Sequence, residues 1–393
     1  MQLNSTEVDA ANKLTDDLVV EVLSKVPYKS FCRCKCVSKT WLSFSLDPHY
    51  CDKLPKPFTG GLLYQEPDST GINFVGPSPD DGSTDTSLSF LPNHEVLELV
   101  DCCNGLVLCR HESSSSPEDV SKLIVCNPAT HQWTELPEPR EEPEGFLYRA
   151  KLAFDPHWSP HFYIFRFKHK CSPGGGIIGV TAVETFSSES STWFVDDTWQ
   201  LQDGTNVPSR PHFFLHGILY ALTADDRVLA VEAFRQTHHP NHWIMELPGY
   251  KPSSPLDDYY LHGCLGYSAG VLYYAQPEID GRTIVLWGLE QGSWNVKHRF
   301  SMSNAFGRDI FIRLDYEGFW YCDYDIQVVD VQKGVILIRD RVQDKLSSYS
   351  METGTLTDVH EGFNRYMTYV PCYSMFRVGN ARSDEGSSGG VIT

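Results

Sequence analysis

The sequence predicts two units of different fold class: a small all-α unit of three short helices, followed by a large all-β domain. Two observations predict this division. Apolar residues recur at helical spacing up to the Asp47-Pro48 pair. After residue 55 they occur instead in short β-rich runs separated by Gly, Pro, Asn and Asp. With 393 residues, of which 41% are apolar, the chain is long enough to bury a substantial core.

The first predicted helix begins after Thr15, whose side chain is expected to cap it. Leu18, Val22 and Val26 follow at four-residue spacing, and Pro27 ends the helix. A second helical stretch begins at about residue 30 and carries apolar residues on one side up to Trp41 and Leu42. Three helices in about 40 residues form too small a core to be stable alone, so this unit is expected to lean on another surface.

Charge separates the two units as well. The chain holds 32 Lys and Arg against 51 Asp and Glu, and residues 1–59 carry eight of the former and seven of the latter. The remaining chain is therefore strongly acidic, which disfavours binding to nucleic acid. Residues 25–39 contain five basic residues and no acid. This local basic stretch is either a solvated helix face or a contact for an acidic partner.

The composition also bears on the compartment. The N-terminus has neither a basic start nor an apolar stretch, and no run approaches the roughly 18 apolar residues of a membrane helix. The twelve cysteines include no Cys-x-x-Cys pair, a pattern typical of reduced thiols used as small core residues. We therefore expect a protein of the cytoplasm, the nucleus or both, with no membrane partner.

The stretch "LTDDLVVEVLSKVPYKSFCRCKCVSKTWLSFSLDPHY", residues 14–50, resembles the F-box. It shares the Asp-Leu start, the aliphatic helix, the Pro-x-Lys-Ser turn, the Val-x-Lys-x-Trp run and the final Asp-Pro. The resemblance implies docking of this unit, helix in groove, on the Skp-type adaptor of a cullin-RING ubiquitin ligase. The residues that it places at the adaptor are Leu14, Leu18, Val22, Pro27, Lys29, Val37, Lys39 and Trp41. Trp41 fits the core of so small a unit equally well.

The β-rich region contains a repeat. A glycine-led apolar strand is followed by an aliphatic strand, a polar turn and usually a tryptophan strand, as in "GILYAL" leading to "VLAVEAFRQTHHPNHWIMELP". The lead glycines Gly217 and Gly270 are 53 residues apart, a period that suits the four-stranded blade of a kelch-like β-propeller. We assign the repeated tryptophans to the core between blades. Five copies are visible, and a sixth could be built from residues 60–65 and 319–330, so the sequence leaves the number of blades open.

The segments "CNGLVLC", "VCNPATHQWTELP" and "LAFDPHWSPHFYIFRF" resemble the plant F-box-associated domain of kelch-like type. With the F-box resemblance, this predicts the following organisation. Residues 1–12 form a flexible N-terminus and 13–52 the F-box; residues 55–378 form a β-propeller-like F-box-associated domain and 379–393 a disordered tail.

Three enzyme-like motifs occur, and each has a structural alternative. "GGGIIG", residues 174–179, and "GYSAG", residues 266–270, would each need a following helix to be a dinucleotide site or a nucleophile elbow at Ser268, whereas β-type sequence follows both. Histidines 238, 239 and 242 lack further ligands at metal-binding spacing. We assign no catalytic residue, no metal ligand, no cofactor and no substrate-binding residue from the sequence.

The functional hypothesis is a substrate receptor, without catalytic activity, that brings a protein substrate to a ubiquitin ligase. The alternative is a scaffold or pseudo-receptor that binds the adaptor but directs no degradation. Thr15 occupies a position where the F-box commonly has proline, and this is the sequence feature that favours the alternative. A hydrolase acting through Ser268 is a third hypothesis from a different class.

Overall fold

The computed structural model of the chain describes residues 14–47, 49–50, 53–55, 60–66, 69, 71–76, 86–111, 122–137, 145–196, 205–233, 241–249, 259–268, 270–316, 318–362 and 365–379. The predicted N-terminal segment 1–12 lies outside these residues. Of the predicted tail, Gly379 alone is among them. The predicted limits of the domains stay predictions.

Three short helices open the described chain, as predicted: α1 (Asp16–Ser24), α2 (Tyr28–Val37) and α3 (Lys39–Leu46). The Thr15 side chain makes no capping hydrogen bond, so the predicted cap is wrong, although α1 does begin after Thr15. Extended backbone at Ser38 divides the second predicted stretch into two helices. The Ser38 hydroxyl accepts a hydrogen bond from the Trp41 N–H at 3.3 Å and so caps α3.

The helical unit has a small core of its own. Five side chains from its helices and the segment after them are buried together: Val20, Leu23, Phe31, Phe44 and Leu54. Partly buried residues, including Val26, Tyr28 and Trp41, pack against this group. We call the five buried residues the helical core.

The regular secondary structure in the rest of the described chain is almost entirely β-strand. Two strands come first: β1 (Gly61–Gln65) and β2 (Ile72–Val75). Two sets of four follow: β3 (Leu97–Cys103), β4 (Leu106–His111), β5 (Lys122–Asn127), β6 (Gln132–Glu135), β7 (Phe146–Ala153), β8 (Tyr163–Cys171), β9 (Ile177–Ser187) and β10 (Thr192–Asp196). The next elements are β11 (His212–Leu215), β12 (Ile218–Leu222), β13 (Arg227–Glu232), β14 (His242–Glu246), the short β15 (Tyr259–Tyr260), β16 (Cys264–Ser268), β17 (Val271–Pro277), β18 (Thr283–Glu290) and β19 (Ser293–Ser301).

A short helix and two short strands then interrupt the repeat: α4 (Met302–Phe306), β20 (Ile312–Leu314) and β21 (Trp320–Cys322). The last elements are β22 (Tyr324–Asp330), β23 (Val335–Asp340), β24 (Lys345–Ser350), β25 (Leu356–Glu361) and β26 (Arg365–Tyr369).

The strands form a β-propeller, as predicted. Five groups of four consecutive strands pair antiparallel in chain order: β3–β6, β7–β10, β11–β14, β16–β19 and β22–β25. The first strand of each group contacts the first strand of the next, and β16 meets β22 in parallel at Gly266 and Val329. These first strands therefore surround a common axis, and each group is a blade.

The sixth blade of the described chain closes the ring. It has the strand order β2-β1-β26, with Gly61 opposite Tyr369 and Gln65 opposite Arg365. Its C-terminal strand β26 contacts β3, the first strand of the following blade. The sixth blade predicted from residues 60–65 and 319–330 is therefore wrong in its second half, because β22 belongs to the fifth group of four.

The lead glycines of the repeat occupy the turn between the first and second strands of a blade. Gly105, Gly217, Gly270 and Gly334 have φ of 85°, 88°, 82° and 66°. Glycine adopts this left-handed backbone conformation without steric cost, because it has no Cβ. The repeat detected in the sequence is thus the second strand of each blade preceded by its turn.

The repeated tryptophans lie on the outermost strands and are only partly buried. Trp193 Nε1 donates to the Pro137 carbonyl at 2.9 Å, and Trp294 Nε1 donates to the Glu246 carbonyl at 3.0 Å. Pro137 follows β6 and Glu246 ends β14, and each of these strands is the outermost one of the preceding blade. Each tryptophan ring therefore links two neighbouring blades. Trp193 and Trp294 pack against buried clusters, as predicted, whereas Trp133 and Trp243 are each 39% exposed.

The enzyme-like motifs fall in hairpins. "GGGIIG" covers the turn between β8 and β9 and the start of β9, and "GYSAG" spans the end of β16 and the turn to β17. Ser268 is buried and pairs with Val271 across that hairpin, where a nucleophile elbow would need a helix. His238 and His239 lie outside the described residues. Within the described part of the chain, no helix is long and apolar enough to cross a membrane.

After β26, residues 370–379 run across the blades; we call them the C-terminal strap. The Asn127 side chain donates to the carbonyls of Cys372 and Ser374 at 2.9 and 3.1 Å. Gln132 exchanges two hydrogen bonds with the backbone of Phe376. The Gly379 N–H donates to the Ser188 carbonyl at 2.7 Å, so this residue of the predicted tail is held by a blade.

The contact with the strap predicts that Gly105→Ala lowers the free energy of unfolding more than Gly270→Ala does. A Cβ on Gly105 would lie 2.6 Å from the Cys372 nitrogen and 2.7 Å from the Val370 carbonyl oxygen, whereas a Cβ on Gly270 would meet nothing within 4 Å. Gly270→Ala therefore costs only the left-handed backbone strain, about 1–2 kcal/mol. Gly105→Ala adds about 1–3 kcal/mol of overpacking. Chemical denaturation of both variants measures the difference, and equal losses would contradict the contact with the strap.

Candidate functional site

Helix α1 and the two residues before it carry two apolar stripes. Val20 and Leu23 are buried in the helical core. Leu14, Leu18 and Val22, spaced four residues apart, are instead 65%, 48% and 59% exposed. A helix that served the core alone would be polar on its outer side. The exposed stripe is therefore a candidate contact surface for a partner protein.

The other residues predicted to contact the adaptor are divided by the structure. Pro27 and Lys39 are exposed, and Val37, at the end of α2, is 79% exposed. Trp41 is partly buried and packs against the helical core. Of its two predicted roles, packing in the core is the one that contacts within this chain show. All eight assignments stay predictions.

Lys29 is directed towards the propeller. Its Nζ lies 5.7 Å from the centre of the Tyr373 ring, within the range of a cation–π contact. Tyr28 lies beside the same ring, with the ring centres 6.3 Å apart. Burial raises the pKa of Tyr28 well above its usual value. Helix α2 therefore packs on the C-terminal strap.

The basic stretch is partly neutralised or covered within the chain. Lys25 pairs with Glu21 at 3.0 Å, and Lys35 lies 5.3 Å from the centre of the Phe31 ring. Arg33 and Lys39 are exposed on the unit. The surface that remains for a partner is therefore an apolar stripe with a few cations near it, a combination suited to an acidic partner with an apolar groove.

The helical unit matches a known domain family. The F-box domain family matches residues 12–53, which include all three helices and the exposed stripe. This chain therefore carries an F-box domain. The F-box domain implies binding to a Skp1-type adaptor, and F-box proteins are non-catalytic adaptors of ubiquitin ligases.

The similarity to F-box proteins extends beyond the F-box. The chain is 26% identical over 307 residues to the Arabidopsis thaliana F-box protein At5g07610, covering 73% of this chain and 70% of the relative. It is 25% identical over 319 residues to the Arabidopsis thaliana F-box protein DOR, covering 75% and 77%. Plant F-box proteins are thus similar to this one over most of the chain.

Two further likenesses concern the propeller. The chain is 28% identical over 183 residues to the Arabidopsis thaliana F-box/LRR-repeat/kelch-repeat protein At2g27520, covering 46% of each. Its fold resembles a six-bladed fungal lectin with 11% identity and a TM-score of 0.37, covering 77% of this chain and 91% of the lectin. The number of blades in the described chain follows from its own strand order.

Sequence reasoning missed the contact between the F-box and the strap. Tyr28 and Lys29 lie next to Pro27 in the F-box motif, whereas Tyr373 lies more than 300 residues later. Nothing in the local pattern connects them, because the contact exists only after β26 has closed the ring. The aromatic "YVPCYSMF" segment, residues 369–376, was the available signal: several bulky residues follow the last strand.

The buried and the exposed stripe of α1 predict different losses of stability on substitution. Leu23→Ala removes a buried side chain and should cost about 2–5 kcal/mol of F-box stability. Leu18→Asp changes an exposed residue and should alter stability by about 0.5 kcal/mol or less. Hydrogen exchange of amides in α1 to α3 measures both changes without interference from the propeller. Strong loss of protection in Leu18→Asp would show that the exposed stripe belongs to the folding core.

Proposed function

We propose that the protein is the substrate-recognition subunit of an SCF-type cullin-RING ubiquitin ligase. In this role the F-box binds the Skp-type adaptor and the propeller binds a protein destined for ubiquitination. The observation that carries the proposal is the exposed stripe of Leu14, Leu18 and Val22 on a unit that already has its own core. Such a stripe supplies the apolar anchors for helix-in-groove binding.

The geometry of the propeller supports a division of labour between its two faces. The F-box leads into β1 at Gly61, which is paired with Tyr369, so the F-box and the strap lie at the same face. We call this the strap face. The Gly105 turn follows β3 and meets Cys372 of the strap, so β3 ends at the strap face. The first strand of every blade runs in this direction. The connections between blades lie at the opposite face, which we call the loop face.

A receptor with this arrangement holds a substrate at the loop face while the adaptor binds beyond the strap face. Its contribution to ubiquitination is proximity, since it raises the concentration of a substrate lysine beside the ubiquitin-charged enzyme. The packing of α2 on the strap favours this role, because a held distance and orientation concentrate the substrate more than a free tether does. The cytoplasm, the nucleus or both remain the expected location.

Co-purification with a Skp-type adaptor tests the first half of the proposal. We expect the full chain to retain the adaptor, and Leu18→Asp to weaken binding at least tenfold by placing a charge in an apolar contact. Val296→Asp is the matched control, because Val296 is also an exposed aliphatic residue, 52% exposed, but lies on β19 of the propeller. Equal adaptor binding by the wild type and Leu18→Asp would remove the exposed stripe from the interface.

Protein turnover separates the receptor from the scaffold or pseudo-receptor. When the protein is depleted from cells, a receptor leaves at least one bound protein at a higher level and with a longer half-life. Restoring the wild type should reverse this change, and restoring Leu18→Asp should not. If the adaptor binds normally and no bound protein changes its half-life, the protein acts as a scaffold.

A further inference from the structure

An insertion between the fourth and fifth groups of four strands stands out at the loop face. It spans residues 302–323 and contains α4, β20 and β21. Three of its apolar side chains are largely in solvent: Ile310 is 72% exposed, Leu314 53% and Tyr316 95%. Trp320 is partly exposed opposite Leu314 in the β20–β21 pair. Few folded chains place so many large apolar residues together in solvent without a binding role.

Two neighbouring turns extend this surface. Ile279 lies in the turn between β17 and β18, Val342 lies in the turn between β23 and β24, and about half of each side chain is exposed. The turns are bonded to the insertion, since Arg282 Nε donates to the Asp309 carbonyl at 3.1 Å and the Arg341 N–H donates to the Asp323 carbonyl at 2.9 Å. We call the six exposed residues the apolar patch: Ile279, Ile310, Leu314, Tyr316, Trp320 and Val342.

Ion pairs between arginines and buried carboxylates hold the insertion in place. Arg308 donates to Asp323 at 3.0 Å and to both carboxylate oxygens of Asp340 at 3.1 and 3.2 Å. Arg313 Nε donates to the second oxygen of Asp323 at 2.9 Å. Asp323 is fully buried and Asp340 nearly so, and buried carboxylates are tolerated only when paired in this way. The patch therefore sits on a rigid support.

An aromatic cluster completes this support. The rings of Phe306, Phe311 and Tyr324 lie 5.5 to 5.7 Å apart, and the Arg308 guanidinium lies over both phenylalanines. Tyr324 donates to the Gly281 carbonyl at 2.7 Å and so ties the cluster to the turn that carries Ile279. A surface fixed in this way binds with little loss of its own conformational entropy.

The charge around the patch favours a basic occupant. The insertion holds four acids, Asp309, Asp315, Glu317 and Asp323, and two arginines. Both arginines are engaged by Asp323, and Arg341 is paired with Asp325 at 2.6 Å. Asp280 and Asp309 are exposed at the edge of the patch. Asp280 also accepts a hydrogen bond from the Arg282 N–H at 2.9 Å and lies 4.0 Å from Arg282 Nε. The exposed carboxylate of Asp309, with that of Asp280 beside it, favours lysine and arginine next to the apolar side chains of a partner.

The backbone favours an extended occupant. The small sheet has the strand order β15-β21-β20, which leaves β20 at its edge. An edge strand offers backbone groups to an added strand, and alternate side chains of that strand then reach the patch. A second copy of this chain is disfavoured, because each copy carries a formal net charge of -19 and two acidic surfaces repel.

We propose that the apolar patch binds an extended segment of a partner protein in which apolar side chains are flanked by lysine or arginine. This inference rests on the proposed function, since it assigns the patch to the protein substrate. It places substrate recognition on the loop face at the fourth and fifth blades of four strands. Leu314 and Tyr316 are the anchors, and Asp280 and Asp309 select the basic flanks.

Three synthetic decapeptide libraries test the proposal with the full chain at 150 mM salt. The first alternates Leu, Ile, Tyr or Trp with Lys or Arg. The second has Asp or Glu in place of the basic residues, and the third has Gly or Ser in place of the apolar ones. Peptides enriched from the first library should bind the wild type at least tenfold more tightly than peptides of the other two.

Leu314→Glu and Tyr316→Glu should each weaken that binding at least tenfold. Both variants add negative charge, so binding by charge alone would become tighter. Ile178→Glu is the matched control, because Ile178 is an exposed isoleucine at the loop-face end of β9 in another blade and should leave binding unchanged. Unchanged denaturation midpoints show that each variant is folded.

Three results would overturn the proposal: equal binding of the second or third library, unchanged binding by Leu314→Glu and Tyr316→Glu, or a wild-type dimer that Leu314→Glu converts to a monomer in sedimentation. The last result would assign the patch to a second copy. Adaptor binding is measured on the same samples and should be unaffected by the patch variants. Its loss in the wild type would count against the proposed function and not against the patch.

Discussion

Pairing of β1 with β26 is the interaction on which the rest of the structure depends. It joins residues about 300 positions apart, with Leu63 opposite Met367 and Tyr64 opposite Tyr366. Gly60 allows the close approach at one end, where any Cβ would overlap the Tyr369 carbonyl oxygen. Without this pairing the first and last blades would expose strand edges, and the strap would have no fixed starting point.

Closure of the ring also determines where the F-box sits. The strap leaves β26 at the strap face, and Asn127 and Gln132 fix its course with side-chain hydrogen bonds to its backbone. Tyr373 then presents its ring to Tyr28 and Lys29. The F-box is thus attached by a contact between residues near the two ends of the chain. A weakened strap would be expected to loosen the contact between the F-box and the propeller.

The two proposed surfaces have the same physical character at opposite ends of the molecule. On the F-box, Leu14, Leu18 and Val22 are exposed although a helical core lies behind them. At the loop face, Leu314 and Tyr316 are exposed although buried ion pairs support the strands beneath them. Each surface is rigid and apolar, and neither is needed to complete the core. This combination is typical of sites that bind proteins.

The sequence by itself determined the F-box and the repeat, because both are local patterns: the F-box spacing lies within 37 residues, and each lead glycine precedes its own strand. It did not determine which face of α1 is buried, because apolar residues occupy two sides of that helix. Nor did it determine the sixth blade, which joins the two ends of the chain. The strap contact and the apolar patch likewise combine residues distant in sequence, so only the closed ring brings them together.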